Sequence, residues 1–176
     1  MSPTPLQKMT LWFTGRPCAG KSTLAAALEQ VLEKRGIHVA RLDGDDVRNK
    51  LSADLGFTEK DRLENLRRVA HVAQLFNENN NFVIATFVSP TNEMRRLVRG
   101  IIQNFKLCYV KCNAEVCEDR DVKGMYKKAR LGKIKDFTGV SAPFEEPDEY
   151  EIVVNTGTHS VEQCVDEILR AIGLSA

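Results

Sequence analysis

Short apolar and β-branched runs alternate with longer segments of helical periodicity along this chain. Five runs predict strands, and they are Met9–Thr14, Ile37–Asp43, Phe82–Val88, Phe105–Cys112 and Glu151–Asn155. This alternation is typical of an α/β domain, because parallel strands need crossover connections that pack on the sheet. We therefore predict a three-layer fold in which a five-stranded parallel sheet is flanked by helices.

Helices are predicted where apolar residues recur three and four positions apart. The segment 21–34 has such a face, made of Leu24, Leu28, Val31 and Leu32, and Gly36 follows as a stop signal. A second helix is predicted over about Thr58–Asn77; it starts with the capping pattern Thr58-x-x-Asp61, and its stripe is Leu66, Val69, Ala70, Ala73 and Phe76. A last helix is capped by Ser160-x-x-Gln163 and ends at Gly173, with Val161, Cys164, Val165, Ile168 and Ile172 facing inward.

A loop with the spacing G-x-x-x-x-G-K-S joins the first strand to the first helix. It consists of Gly15, Arg16, Pro17, Cys18, Ala19, Gly20, Lys21, Ser22 and Thr23. The glycines let main-chain N–H groups point at a polyphosphate, and the helix N-terminus adds partial positive charge. Lys21 supplies a full charge to the β- and γ-phosphates, and the Ser22 hydroxyl is placed to ligate Mg²⁺. A plain strand-to-helix turn is the alternative, but the context favours a nucleoside triphosphate site.

An acidic cluster follows the second strand, at the sheet edge where ligands of open parallel sheets lie. It contains Asp43, Asp45 and Asp46, with Arg48 after them. One of the three aspartates is expected to cap the following helix. The third strand carries no acidic residue, so Asp43 or Asp45 is the nearest candidate to assist Mg²⁺ and the acceptor.

The helix over 58–77 also carries polar residues on its inward side. Projection places Arg62 at the centre of the apolar stripe and Asn65 at its edge, while His71 faces solvent. Burial of an unpaired guanidinium is costly, so Arg62 is expected to meet either an internal carboxylate or an anionic ligand.

Two further segments have both a structural and a functional interpretation. Ser89-Pro90 is a standard helix start, yet it also lies at the ligand edge of the sheet. Residues 120–139 are basic, through Arg120, Lys123, Lys127, Lys128, Arg130, Lys133 and Lys135, with Gly124, Gly132 and Gly139 as hinges. Such a run is often a solvated face, but opposite a phosphate loop it predicts a lid that closes over the polyphosphate.

Length and composition allow one domain, residues 9–176, after a short tail over residues 1–8. The net charge of +1 gives no field that would recruit nucleic acid or an anionic membrane. Since no signal peptide or membrane span is apparent, we expect a cytoplasmic protein. Its five cysteines match no zinc spacing and are expected to be reduced; Cys18 alone is a candidate reactive thiol, because the loop attracts anions.

Together these residues resemble the adenylylsulfate kinase family over nearly the whole chain. The similarity runs through the phosphate loop, Leu42-Asp43-Gly44-Asp45-x-Val47-Arg48, Leu55-Gly56-Phe57, Asp61-Arg62-x-x-Asn65-x-Arg67-Arg68, Ser89-Pro90, Arg120-Asp121-Val122-Lys123-Gly124-x-Tyr126-Lys127-Lys128-Ala129-Arg130 and Ile134-Lys135-x-Phe137-Thr138-Gly139. The chain departs from the family pattern at Asp46, where Asn is common, and at Thr91-Asn92, where an aromatic residue and Arg usually follow Ser-Pro.

The resemblance implies the fold of phosphate-loop NTPases and a homodimeric kinase that uses ATP and Mg²⁺ to phosphorylate the 3′-hydroxyl of adenosine 5′-phosphosulfate (APS). It implies an APS site made of Asp43, Asp45, Arg48, Phe57, Arg62, Asn65, Val88, Ser89, Lys123 and Phe137. It also implies that Lys21, Asp45 and Ser89 are catalytic, that Ser22 and Asp45 hold Mg²⁺, and that Arg120 and Arg130 join the loop in binding ATP. The family treats Ser89 as a phosphoserine intermediate, although in-line transfer to a bound hydroxyl needs no covalent step.

Two alternatives stay open at the level of sequence. One is a kinase of the same scaffold with another small phosphorylated or nucleotide acceptor. The other is a nucleotide-dependent regulatory switch, against which stand the basic lid and the lack of an N-K-x-D guanine signature.

Overall fold

The structure is a computed structural model, and it describes residues 8–174. A five-stranded sheet with the strand order β2-β3-β1-β4-β5 forms its centre. The strands are β1 (Thr10–Thr14), β2 (Val39–Asp43), β3 (Phe82–Thr86), β4 (Phe105–Lys111) and β5 (Ile152–Asn155). All neighbouring strands are parallel, which confirms the predicted sheet with strand ends shifted by one or two residues.

Helices cover both faces of the sheet. They are α1 (Lys21–Lys34), α2 (Gly44–Asn49), α3 (Glu59–Glu78), α4 (Asn92–Ile101), α5 (Ala114–Arg120), α6 (Met125–Arg130) and α7 (Val161–Ala171). Side chains alternate along β1: Leu11 and Phe13 enter the core beneath α1 and α7, whereas Trp12 enters the core beneath α3 and α4. This period-two pattern is why a fully buried central strand supplies both cores.

Local capping chemistry sets the helix ends largely as predicted. Thr58 caps α3 by accepting from the Asp61 N–H, and Ser160 with Gln163 forms a complete capping box at α7. After α1 and α7, Gly36 (φ 75°) and Gly173 (φ 79°) adopt the left-handed conformation expected of a helix stop.

Two sequence-based expectations for the helices were wrong. Phe76 is 38% exposed, and Asn77 takes the buried position instead, where its side chain hydrogen-bonds to Thr10. Ser89 does not start α4, because the N-cap is Thr91, whose hydroxyl accepts from the Met94 N–H. Ser89 instead has φ 44°, a conformation that a non-glycine residue adopts only under constraint from its surroundings.

The carboxyl ends of the strands lie at one edge of the sheet. The direction in which successive strands are added to the sheet reverses beside β1. Since β1 lies between β3 and β4, the loops after these strands diverge and leave a crevice between them. Ligands of doubly wound sheets bind at this position. The phosphate loop, the acidic cluster and the Ser89 turn all follow strands at this edge.

Candidate active site

The phosphate loop is a compact turn whose glycines are required by space and by conformation. A Cβ atom at Gly15 would lie 2.6 Å from the carbonyl oxygen of Val110 on β4, and Gly20 has φ 94°. Gly20 is also the N-cap of α1, and no side chain caps that helix. The N–H groups of the first turn of α1 therefore remain open to an anion.

The Lys21 ammonium lies within the loop and bonds to carbonyl groups rather than to an anion. Its Nζ donates to the main-chain carbonyls of Gly15 and Arg16, each at 2.8 Å. Burial lowers the pKa of Lys21 to about 8, although the nearby Cys117, Cys18, Asp43 and Asp45 act in the opposite direction. A bound phosphate would stabilise the charged form of Lys21, which burial disfavours.

Two residues outside the motif support the loop from the far side. The hydroxyl of Tyr126 on α6 donates to the Pro17 carbonyl at 3.0 Å, and the Thr156 hydroxyl donates to the Ala19 carbonyl at 2.7 Å. The Arg120 guanidinium, predicted to contact ATP, donates to the Thr156 carbonyl at 2.6 Å beside the loop. Arg130 is placed elsewhere, in an exposed ion pair with Glu118 at 2.9 Å, so its role toward ATP stays a prediction.

The Asp43 carboxylate joins the phosphate loop to the sheet edge. It accepts from the Ser22 hydroxyl and from the Thr86 hydroxyl, both at 2.7 Å, and caps α2 through the Asp45 N–H. Burial alone would raise its pKa, but the hydrogen bonds from Thr86, Ser22 and Asp45 outweigh it and hold the pKa below its usual value. Asp43 is thus the aspartate that caps the helix, as expected for one of the three.

Thr86 was missed at the level of sequence. It ends β3, and the parallel register pairs it with Asp43 on β2, which brings the two side chains together. A polar β-branched residue at the end of a buried strand was the signal available. Gly44 follows Asp43 in the chain and also lies close to Thr86: a Cβ atom at Gly44 would lie 3.3 Å from the Thr86 carbonyl oxygen.

The predicted acceptor residues form a second cluster around Phe57. The guanidinium carbons of Arg48 and Arg62 lie 4.8 and 5.9 Å from the centre of the Phe57 ring, which is itself 60% exposed. An exposed aromatic ring between two cations suits an anionic ligand with a flat ring system. Burial lowers the pKa of both arginines.

Within residues 8–174, Arg62 bonds to carbonyl and hydroxyl oxygens and forms no ion pair with a carboxylate, so an anionic ligand stays its predicted partner. Its Nε donates to the Phe57 carbonyl at 2.9 Å, Nη1 donates to the Thr138 hydroxyl at 3.1 Å, and Nη2 donates to the Asp136 carbonyl. The helix projection placed Arg62 at the centre of the buried stripe, but its side chain is only half-buried and extends to the end of the lid. Arg62 therefore joins the acceptor cluster to the lid segment.

Asn65, one turn further along α3, is 3% exposed, and its Oδ1 has no hydrogen-bond partner in the part of the chain that the structure describes. An unpaired buried amide oxygen is costly, and a bound ligand is one partner that could satisfy it. Phe137 is half-buried and packs edge-on against Tyr126 with ring centres 5.0 Å apart.

The lid segment contacts the edge of the sheet that carries the acidic cluster: the Lys123 ammonium forms an ion pair with Asp45. This pair raises the pKa of Lys123, first through its hydrogen bond to Asp45. Val88 and Ser89 lie across the edge: Ser89 is 2% exposed, and its Oγ accepts from Trp12 Nε1 at 3.0 Å. The structure thus brings the residues predicted to bind ATP and those predicted to bind the acceptor to one edge of the sheet, except Arg130, which pairs with Glu118.

Comparison with known proteins extends the similarity beyond the loop. The family described as adenylylsulphate kinase matches residues 7–155. The adenylyl-sulfate kinase of Clostridium kluyveri is 51% identical over 160 residues, which cover 90% of this chain and 80% of that protein.

Solved structures show the same similarity. The Mycobacterium tuberculosis APS kinase CysC in complex with AMPPNP and APS has a TM-score of 0.92 and 37% identity, and the alignment covers 96% of this chain and 99% of that one. The hexameric APS kinase from Thiobacillus denitrificans has a TM-score of 0.72 and 30% identity, and the alignment covers 99% of this chain and 31% of that one.

These matches include α2, α3 and the lid as well as the phosphate loop, so they cover both clusters of the site. A phosphate loop alone occurs in many unrelated activities, whereas the combination of both clusters on one sheet edge is much more specific. The chain belongs to the adenylylsulfate kinase family.

Proposed function

We propose that this chain transfers the γ-phosphoryl group of ATP to the 3′-hydroxyl of APS, which yields ADP and 3′-phosphoadenosine 5′-phosphosulfate, the activated form of sulfate. One observation carries the proposal: a charged lysine in a phosphate loop lies at the same sheet edge as a separate cluster of cations, an aromatic ring and an unpaired amide. Two anionic nucleotides bound there would face one another across Asp45.

The phosphate loop and α1 would hold the donor. The Lys21 ammonium would move from the Gly15 and Arg16 carbonyls toward the β- and γ-phosphates, where its charge balances that of the leaving ADP. Arg120, which bonds to Thr156 beside the loop, would pack along the nucleotide. The uncapped N-terminus of α1 adds N–H donors.

Arg48, Phe57, Arg62 and Asn65 would hold the acceptor, with Phe137, Val88 and Ser89 closing the site. Asp45 would orient the 3′-hydroxyl and accept its proton, once Lys123 gives up its ion pair with that carboxylate. We propose that transfer is direct and that Ser89 positions the acceptor without itself being phosphorylated. The buried Ser89 Oγ already accepts from Trp12 Nε1, which supports a positioning role.

The donor set fits a magnesium ion. The Ser22 hydroxyl and the Asp45 carboxylate would hold it, and Asp43 would orient Ser22 through the hydrogen bond seen here. When bound, Mg²⁺ supplies positive charge to the β- and γ-phosphates.

The test is ADP release measured with ATP alone, with ATP and APS, and with ATP and a panel of sugar and nucleotide acceptors. APS-dependent release, with the 3′-phosphorylated product identified by mass spectrometry, is the expected result. Release only with another acceptor would favour a kinase of different specificity. If no acceptor increases ADP release, both kinase functions are excluded and the regulatory switch is favoured.

Arg62→Ala is expected to raise the KM for APS by about tenfold or more, because a charge-assisted contact to the acceptor is lost, with little change in the KM for ATP. Arg67→Ala is the matched control on the same helix, since Arg67 is exposed and pairs with Glu64 at 2.7 Å. Equal effects of the two substitutions on the KM for APS would argue against an acceptor role for Arg62.

We also propose that the chain acts in the cytoplasm as a homodimer. All five cysteines are free thiols, as expected in a reducing compartment. Within residues 8–174, no helix combines the length and the apolar character that a bilayer crossing requires. Self-assembly is supported by the hexameric relative from Thiobacillus denitrificans. Light scattering is expected to give twice the mass of one chain of 19.8 kDa, and a monomer at micromolar concentration would refute the dimer.

A further inference from the structure

The Arg95 side chain has no place in the chemistry described above, yet Arg95 is only 3% exposed. It lies on the inner face of α4 together with Met94 and Val98. Burial lowers its pKa to about 10, although Glu145 and Asp148 in the vicinity act in the opposite direction. Because a buried guanidinium is costly to keep, the contacts that it makes are informative.

Each nitrogen of the guanidinium reaches a different part of the molecule. Nε donates to the Thr14 hydroxyl at 3.3 Å, Nη1 donates to Asn92 Oδ1 at 2.6 Å, and Nη2 donates to the Glu145 carbonyl at 2.5 Å. Thr14 is the last residue of β1, directly before the phosphate loop. Glu145 belongs to a segment without helix or strand, residues 143–148, which we call the strap.

On the acceptor side, Arg95 acts on the turn over residues 88–92. The Thr14 hydroxyl that accepts from Arg95 donates in turn to the Val88 carbonyl at 2.7 Å, with a longer contact of 3.4 Å to the Ser89 carbonyl. The strap binds the same turn, because the Glu145 N–H donates to the Pro90 carbonyl at 2.8 Å. These contacts surround Ser89, whose constrained φ of 44° requires support of this kind.

Asn92 closes the same arrangement. Its Oδ1 accepts from Arg95 and from the Asp148 N–H at 3.2 Å, its Nδ2 donates to the Glu146 carbonyl at 3.3 Å, and its N–H donates to Glu145 Oε2 at 2.7 Å. Asn92 is one of the positions at which this chain departs from the family pattern. As the first residue of α4, Asn92 therefore binds the strap through its side chain and its main-chain N–H.

On the donor side, the strap carries Phe144 to the phosphate loop. The guanidinium carbons of Arg16 and Arg95 lie 5.0 and 5.3 Å from the centre of the Phe144 ring. The Arg16 carbonyl is one of the two acceptors that hold Lys21. Arg16 also borders a crevice of about 130 Å³ that is lined by Asn113 and Glu146, so the Arg16 side chain is open on that side. The Phe144 ring packs against the Arg16 guanidinium and restrains its position.

We propose that Arg95 is a positioning residue for phosphoryl transfer, which holds the phosphate loop and the turn at Ser89 in a fixed relation through Thr14, Asn92 and the strap. This inference rests on the proposed kinase function. In-line transfer requires the attacking oxygen and the γ-phosphorus to be aligned to within a fraction of an ångström. Loss of the guanidinium would relax the alignment of the two bound nucleotides more than the binding of either one.

The experiment compares Arg95→Ala with Arg99→Ala by kcat, by both KM values and by thermal midpoint. Arg99 is the matched control: it lies one turn further along α4, pairs with Glu151 at 2.6 Å and covers the Phe105 ring at 5.0 Å, on the side away from the site. Arg95→Ala is expected to lower kcat by about 100-fold, with each KM changed by less than about threefold. Arg99→Ala is expected to lower the thermal midpoint but to keep kcat within about twofold of the unsubstituted enzyme.

Guanidinium added at millimolar concentration gives a second readout. It is expected to restore part of kcat to Arg95→Ala and none to Arg99→Ala, which a purely structural loss would not do. Unchanged kcat per folded molecule in Arg95→Ala, or an equal loss in the control, would overturn the inference.

Arg95→Lys and Thr14→Val make smaller changes and keep the inference testable if Arg95→Ala does not fold. Each is expected to lower kcat by about fivefold or more with little change in KM. If both keep the kcat of the unsubstituted enzyme, Arg95 has no positioning role. APS-dependent turnover in the unsubstituted enzyme separates this result from a failure of the proposed function itself.

Discussion

At the scale of single residues, the site combines groups that the proposed function requires and that folding disfavours. The Lys21 ammonium is buried against two carbonyls, and the Asn65 amide oxygen has no partner within residues 8–174. Both arrangements cost stability until a ligand supplies the missing interaction. Substitutions at these residues are therefore expected to separate stability from activity.

Lys21→Met is expected to lower turnover by at least about 100-fold and yet to raise the free energy of unfolding at pH 7 by on the order of 1–3 kcal/mol. Lys21 has a folded-state pKa of about 8 against an ordinary value of 10.5, so its burial cost is fully present below pH 8. Between these values the unfolded chain binds more protons than the folded one, and the stability of the unsubstituted protein rises. Urea unfolding at pH 7 and pH 10 is expected to show the advantage of the variant shrinking with pH. A less stable variant at pH 7 would contradict this account.

Asn65→Leu replaces an unpaired buried amide by an apolar side chain of similar size. We expect stability to be unchanged or higher by about 1 kcal/mol, and the KM for APS to rise by about tenfold, because the acceptor loses its partner. Asn77→Leu is the contrasting control, since Asn77 is equally buried but bonds to Thr10, and its substitution is expected to destabilise the fold without affecting the KM. Loss of stability in both variants would show that Asn65 has an internal partner in solution.

At the scale of elements, the site depends on how helices and edge strands are joined to the sheet. Glu151 precedes β5 and accepts from the Arg99 guanidinium of α4 at 2.6 Å and from the Leu107 N–H of β4 at 2.6 Å. It therefore connects two strands and a helix. Burial alone would raise its pKa, but the bonds from Arg99 and Leu107 outweigh that effect and lower it.

Glu151→Gln is expected to reduce the free energy of unfolding at pH 7 by about 1 kcal/mol, because an amide cannot replace the charged acceptor of Arg99. A carboxylate with a lowered pKa contributes stability above its unfolded pKa, and this contribution is lost as the pH falls through the folded pKa. The difference between the variant and the unsubstituted protein is therefore expected to shrink below pH 4 in denaturant titrations. A difference that stays constant from pH 7 to pH 3 would show that the charge of Glu151 is not responsible.

At the scale of the whole molecule, the predicted lid over residues 120–139 contacts the rest of the fold largely through side chains to which we assign substrate contacts. Lys123 pairs with Asp45, Arg62 bonds to Asp136 and Thr138, and Tyr126 bonds to Pro17. Under the proposed function, substrate binding is expected to exchange some of these contacts and so to couple lid position to occupancy of both sites.

Lys123→Met is expected to change the free energy of unfolding by less than about 0.5 kcal/mol, because the pair with Asp45 is largely exposed. Its effect is expected on turnover, through weaker closure of the lid over the acceptor. Amide exchange over residues 120–139 with both nucleotides bound is expected to be faster in the variant than in Lys127→Met, in which an exposed lysine of the same segment is changed. Equal protection in the two variants would exclude a closing role for Lys123.

The strands, the phosphate loop and most helix caps could be predicted from the sequence, because each depends on residues close together in the chain. The spacing from Gly15 to Ser22 predicts a phosphate loop by itself, and the acceptor residues, which stay a prediction, were proposed from the resemblance to a family. Tertiary structure decided the rest: the bond between Thr86 and Asp43, the constrained Ser89, the lid contacts of Arg62, and the burial of Arg95 under the strap. These features join residues more than forty positions apart in the chain, and whether a buried polar group finds a partner there depends on the packing of the whole fold.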